Sequence, residues 1–226
     1  MYSMPDDMNI SKDARQYAPA TERNREFIVE VLERVLPPRG TVLEVASGTG
    51  EHAVFFAPRL SPRIWQPSDP NPKKLASIAA WREHFPSDNL CEPLELDVCA
   101  PIWPVETSGS AELLARGEFN TSAIAAIVSI NMIHIAPWDA CLGLMAGAGR
   151  ILPPGGILYL YGPFKQGGQH TAPSNAVFDE ALRTENPSWG VRDLNEVVAA
   201  ADAQHLTLLE TIQMPANNLS VVFQRE

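Results

Sequence analysis

Three acids and two glycines in the first hundred positions are spaced as a nucleotide-like ligand would require. Glu44, Gly48 and Gly50 fall in the run VLEVASGTGEH at 42–52. The glycines let the backbone turn sharply and approach a ligand with no Cβ in the way. A helix opening directly after them points free N–H groups into the crevice at the carboxyl ends of the strands. Asp69 follows about twenty residues after the turn, where an acid accepts hydrogen bonds from ribose hydroxyls. Asp97 closes a further strand pattern and is placed to accept from an adenine amino group. Glu44 falls inside a strand, where a carboxylate is costly unless donors reach it. A bare Gly-rich turn occurs in many folds; three acids at three successive strand ends make a more specific pattern.

The elements that must position these groups follow from periodicity. Residues 1–20 are polar, carry two prolines and read as an irregular arm. From Glu22 onward Phe27, Ile28, Val31, Leu32 and Val35 recur at helical spacing, and Pro37, Pro38 and Gly40 stop the helix. TVLEVA at 41–46 reads as a buried parallel strand, and EHAVFFAPRL as the helix after the turn. Strand patterns follow at 63–67, 94–98, 124–131 and 157–161, with helices at 72–85 and 137–152. Residues 100–122 read as an irregular insertion with at least one helical turn, and 162–173 as a Gly- and Pro-rich loop. Helices at 174–184 and 193–204 precede two β-rich segments, 206–213 and 218–224. Alternating strands and helices predict an α/β fold: a doubly wound, Rossmann-like, mostly parallel seven-stranded sheet ending in an antiparallel hairpin. Residues 21–226 are expected to form a single domain behind the arm.

Composition narrows the partners. With 226 residues and 45% hydrophobic content, a full core needs neither metal nor disulfide. The net charge of −10 and the scattering of Lys and Arg argue against a nucleic-acid partner. Cys91, Cys99 and Cys141 are odd in number and lack metal-ligand spacing, which suggests reduced thiols in a cytoplasmic protein. The N-terminus does not read as a signal peptide and no apolar run reaches membrane-spanning length. A small molecule, or less readily a peptide, is the expected partner.

The chain resembles the class I S-adenosylmethionine-dependent methyltransferases, in which an acid–x–x–x–Gly–x–Gly pattern forms the first motif. More narrowly it resembles a bacterial and eukaryotic family in that class that includes a human methyltransferase-like protein. The matching stretches include ERN at 22–24, LEVASGTGEHAVFFA at 43–57, WQPSDP at 65–70, INMIHIAPW at 130–138, LPPGGILYLYGPFK at 152–165 and NPSWGVRDL at 186–194. The segment around 106–122 departs from the pattern. The resemblance implies S-adenosylmethionine as cofactor, S-adenosylhomocysteine as product and a small-molecule methyl acceptor. It places the cofactor against Glu44, Ala46, Ser47, Gly48, Gly50, His52, Asp69, Pro70, Asp97, Val98, Asn131 and Met132. Arg23 and Asn24, with Tyr17, are expected to close over it, Arg23 pairing the cofactor carboxylate. The cofactor's ammonium group is a candidate partner for Glu44, directly or through water.

Candidates for acceptor chemistry cluster after the fourth and fifth strands. His134 is the first choice for a base or hydrogen-bond partner, followed by Tyr161, Lys165 and His170. Trp138 and Trp189 are candidates for an apolar wall. Two other readings compete: a non-catalytic module that binds the adenosyl cofactor, and an NAD(P)-dependent oxidoreductase. The second takes support from Gly48-x-Gly50-x-x-Ala53 and from Tyr161-x-x-x-Lys165, a spacing that needs a helix. Gly162 and Pro163 between Tyr161 and Lys165 disfavour one.

Overall fold

The computed structural model describes residues 13–107 and 124–226. Its strands are β1 Thr41–Val45, β2 Ile64–Asp69, β3 Leu94–Glu95, β4 Ile124–Ile130, β5 Ile157–Gly162, β6 Phe164–Gln166, β7 Gln169–His170, β8 Arg192–Asp193, β9 Leu206–Met214 and β10 Asn218–Arg225. The α-helices are α1 Pro19–Val35, α2 Glu51–Arg59, α3 Pro72–His84, α4 Trp138–Ile151, α5 Pro173–Glu185 and α6 Leu194–Asp202. The main sheet runs β3-β2-β1-β4-β5-β10-β9, parallel from β3 to β5 and antiparallel at β10 and β9. This is the predicted α/β architecture: a seven-stranded, doubly wound sheet closed by a terminal hairpin. Strand order reverses across β1 and β4, and open α/β sheets bind ligands where that reversal leaves a crevice.

Period-two alternation distributes the core to both faces of the sheet. Leu43, Ile127, Leu158, Leu160, Val221 and Phe223 face α4 and α6. Val42, Ala126, Val128, Tyr159 and Val222 face α1 and α2. Burying both faces requires apolar residues at almost every strand position, which is why β1, β4 and β5 read as near-continuous hydrophobic runs.

Four local features depart from the sequence reading. The first helix begins at Pro19, a residue whose fixed φ and missing N–H suit the first turn, so residues 19 and 20 are helical rather than part of an arm. The third strand covers only Leu94–Glu95. Beyond it Asp97 Oδ1 accepts from the Cys99 N–H at 2.9 Å, a local turn that takes the backbone out of the ladder. In the supposed insertion, Trp103 is fully buried in the core and Pro104–Glu106 form a 3-10 turn. Glu106 pairs there with Arg150 of α4 at 2.8 Å. The rest of the insertion, with the helical turn expected in AELLARG, lies outside the described residues. The loop at 162–173 contains β6 and β7, which join β8 in a second, three-stranded sheet. Strands of two or three residues are too short for periodicity to reveal. Among the described residues no helix is long and apolar enough to cross a membrane.

Asp179 of α5 holds that small sheet in place. Its Oδ2 meets Lys165 of β6 at 2.8 Å and His170 of β7 at 3.3 Å. Its Oδ1 meets Arg183 at 3.2 Å and accepts from the Val191 N–H at 2.7 Å. Burial alone would raise its pKa, but the hydrogen bonds from Lys165 and Val191 and the neighbouring cations outweigh this and lower it. Removing a carboxylate from among such partners leaves buried charge uncompensated. Asp179→Ala should therefore lose about 3 kcal/mol in urea unfolding at neutral pH. The lowered pKa makes this contribution complete above the ordinary carboxylate range and progressively lost on acidification. The gap between variant and wild type should accordingly shrink in acid.

Candidate functional site

The turn between β1 and α2 is a reversal that few residues can make. Ala46, Gly48 and Gly50 adopt φ of 58°, 59° and 91°, in or near the left-handed region. A Cβ on Gly50 would stand 2.7 Å from the Ile78 Cα, so α2 and α3 approach as closely as they do only because Gly50 has none. Hydrogen bonds lock the reversal to β2. The Ser47 N–H donates to the Ser68 carbonyl at 2.8 Å, and the Ser68 hydroxyl donates to the Glu44 carbonyl at 2.8 Å. The Gly48 N–H donates to Asp69 Oδ2 at 3.0 Å.

A cavity of about 630 Å³ opens where these strands end. The predicted residues Ala46, Ser47, Gly48, His52, Asp69, Pro70, Asp97, Val98, Asn131 and Met132 all line it. Asp69 is buried, and its other oxygen accepts from the Asn71 N–H at 2.9 Å. Each carboxylate oxygen keeps a lone pair for a ligand hydroxyl. Burial raises the Asp69 pKa, opposed by these two N–H donors. Asp97 is exposed at the rim. Asn131 mirrors Ala46 across the switch point, with φ of 56° at the end of β4.

Glu44 and Gly50 lie behind this wall. Glu44 is 1% exposed and points to the face of the sheet occupied by Trp65. Its donors come from the protein: Ser47 Oγ at 2.9 Å and Trp65 Nε1 at 3.0 Å. Burial pushes its pKa up to about 7 despite both bonds, with Asp69 adding to the rise. His52 donates from Nε2 to Asn24 Oδ1 at 2.8 Å. The Asn24 side-chain amide in turn faces the Tyr161 hydroxyl, whose pKa burial raises. That chain of partners fixes the His52 proton on Nε2 and leaves Nδ1 as an acceptor. Burial, aided by the charge of Arg25, depresses the His52 pKa to about 3.

Several expected residues stand elsewhere. Arg23 is exposed on α1 and does not line the cavity, and Asn24 reaches it only through His52. Tyr17 turns away and packs edge-on against Trp81, with ring centroids 5.0 Å apart. Ala18, Ala20 and Thr21 take the place expected of Tyr17 and Arg23. Pro19 was the available signal, since a helix starting there brings its first turn to the cleft. The chain leading in is pinned by Ala18 N–H to Glu51 at 2.6 Å and by Trp81 Nε1 to the Gln16 carbonyl at 2.9 Å. Lys165 and His170 belong to the Asp179 cluster, and Tyr161 is buried beside Asn24 and Asn218. Tyr161 and Lys165 lie on different strands, not on one helix. Trp138 and Trp189 do not line the cavity.

His134 is 3% exposed, just beyond the Asn131–Met132 edge of the cavity. Its Nδ1 is buried without a hydrogen-bond partner. That atom lies 3.1 Å from where a Cβ on Gly162 would stand, and Asn131 Oδ1 lies 3.7 Å from the same point. Burial, with the charge of Arg192, holds the His134 pKa down to about 4. Arg192 also ties the segment after β4 to β8, donating to the carbonyls of Ile133 at 3.0 Å and Ala136 at 2.6 Å. Sequence patterns do not reveal this clamp, because it joins residues far apart in the chain.

These shifts have opposite consequences for stability. His52 and His134 have folded pKa values of about 3 and about 4 against an ordinary 6.5. The unfolded chain therefore binds protons that the fold refuses, and stability falls as pH drops through 6.5 toward those values. His52→Gln should flatten this acid limb in melting curves recorded across pH. Glu44 is raised to about 7 from 4.5, so it costs stability as pH rises through that window and costs most above pH 7. Between pH 4 and pH 8 the stability of Glu44→Gln relative to wild type should improve by about 2–3 kcal/mol. A constant difference would show that Glu44 titrates in the fold as it does in the unfolded chain.

Comparison with known proteins matches this fold. The chain superposes on the apo S-adenosylmethionine-dependent methyltransferase SibL with a TM-score of 0.69 and 15% identity, over 91% of this chain and 55% of that one. An O-methyltransferase family protein from Burkholderia thailandensis gives 0.69 and 16%, over 92% and 57%. Human N-acetylserotonin methyltransferase in complex with S-adenosylmethionine gives 0.67 and 12%, over 91% and 52%. The chain thus has the fold of these proteins and spans about half their length. The family model described as "Protein of unknown function (DUF938)" matches residues 15–225, and the chain belongs to that family.

Proposed function

We propose that this chain transfers a methyl group from S-adenosylmethionine to a hydroxyl of a small molecule. The narrower kinship with the group that includes a human methyltransferase-like protein is part of this reading. The observation that carries it is the cavity at the switch point, where the Asp69 carboxylate and the β1–α2 turn meet on one wall. The size and donor set suit an adenosyl ligand. Asp69 would accept from the ribose hydroxyls, Asp97 from the adenine amino group, and His52 Nδ1 from the ammonium group. The polypeptide around Ser47 and Gly48 would pack against the methionine portion. The bound cofactor supplies a methyl group made electrophilic by a sulfonium. The protein's task is then to align the acceptor, exclude water and accept a proton.

His134 is the residue we assign to that proton. A neutral ring with an unpaired Nδ1 can accept a hydrogen bond from an incoming hydroxyl, or from a water relaying its proton. A Cβ at Gly162 would stand 3.1 Å from Nδ1 and crowd anything bound there. An oxygen acceptor accords with the O-methyltransferase among the similar structures. Lys165 and His170 hold the small sheet in this reading, and Tyr161 fixes Asn24 and thereby His52.

Calorimetric titration with S-adenosylhomocysteine, and with NAD in parallel, tests the cofactor. Micromolar binding of S-adenosylhomocysteine, weakened roughly tenfold or more in Asp69→Ala, is expected. Binding of NAD alone would overturn the assignment. Once an acceptor is found, His134→Gln and Gly162→Ala should each lower kcat by roughly 10²-fold or more while cofactor affinity stays within about twofold. A parallel loss of cofactor affinity would instead assign His134 to the cofactor site.

A further inference from the structure

We propose that a groove on the outer face of α2 is a second small-molecule site, selective for planar aromatic carboxylates. Glu51, Val54, Phe55, Pro58 and Arg59 recur at helical spacing, so they share the face of α2 turned away from the sheet. With Arg25 of α1 and the end of α3 they enclose a cavity of about 450 Å³. This is within the size range of pockets that bury small ligands.

The lining has two halves. One is aromatic: Trp81 and Phe85 lie nearly parallel, with ring centroids 5.7 Å apart and planes 15° apart, and Phe85 is 51% exposed. The other is cationic. The guanidinium carbons of Arg25 and Arg59 lie 4.6 Å and 3.6 Å from the centroid of the Phe55 ring. Among the described residues neither arginine has a carboxylate within ion-pairing distance. The Arg25 Nε is buried with no hydrogen-bond partner. Arg59 Nη1 donates to the Phe55 carbonyl at 3.0 Å, but two guanidiniums beside one ring with no acid partner are unexpected in a chain of net charge −10.

A ligand carboxylate would answer both guanidiniums, because their forked donors match its two oxygens. A flat ring joined to it would continue the Trp81–Phe85 stack. Glu51 limits the charge to a single negative group. It is the carboxylate in the lining and is already engaged by the Ala18 N–H at 2.6 Å and the Thr49 hydroxyl at 2.8 Å. The groove is separate from the cofactor cavity, since His52, on the other face of α2, lines that cavity and not this one.

The test uses 2-naphthoate titrated calorimetrically into the full chain, with S-adenosylhomocysteine present in excess. Saturable one-to-one binding is expected. It should weaken roughly tenfold or more in the Arg25→Gln, Arg59→Gln double variant, whose fold is checked by circular dichroism. The uncharged analogue 2-naphthylmethanol should bind the wild-type chain roughly tenfold or more weakly, a comparison that needs no variant. Absence of saturable binding into the millimolar range would overturn the proposal. Equal affinity for acid and alcohol, or binding unchanged in a folded double variant, would do so too. None of these outcomes depends on methyl transfer.

Discussion

The site depends on how little room the chain has to turn between β1 and α2. Gly50 stands so close to the Ile78 backbone that a single added carbon would overlap it. Ala46 is held at a positive φ, which costs a residue with a Cβ of order 1 kcal/mol or more. Such a reversal persists only if its surroundings over-determine it. Here they do: Ser47, Ser68, Glu44 and Trp65 interlock through hydrogen bonds between two adjacent strands. The same interlock sets where the Gly48 N–H points and where Asp69 can lie, and so shapes the cavity wall.

The apolar layers make that wall rigid. With helices on both faces, the sheet from β2 to β5 can flex only by disturbing close-packed side chains on either side. Polar groups drawn into this setting change character. Glu44 is pushed to about 7, and His52 and His134 to about 3 and about 4, in each case chiefly because burial penalises the charged form. Near neutral pH the cavity wall at His52 is thus an uncharged imidazole, with a second, His134, buried just beyond its edge, while Asp69 and Asp97 supply acidic groups along the β2–β3 edge.

Much of the cavity was legible in the sequence because its residues sit at strand ends and in one Gly-rich turn, where spacing along the chain translates directly into position. Asp69 and Asn131 were found this way. Arg23, expected from the family resemblance and its charge to meet a cofactor carboxylate, is turned to solvent by its position on the helix and does not line the cavity. Lys165 and His170 were suggested by residue type, but in the fold both pair with Asp179 on the next helix. The short strands β6, β7 and β8 gave no periodic signal, and the burial of Trp103 was hidden in a segment that looked like an insertion.

The sequence by itself determined the alternation of strands and helices, the antiparallel finish and the location of the Gly-rich turn that lines the cavity. These follow from local rules, since hydrophobic period, glycine and proline act over a few residues. Only the tertiary structure decided which polar groups face the cavity and which are consumed in holding it. Whether Glu44 meets a ligand or Trp65, and whether His170 meets a substrate or Asp179, depends on contacts between separate elements of the fold. It equally decided which groups stay charged. Desolvation depends on everything packed around a side chain, and no window of sequence contains that.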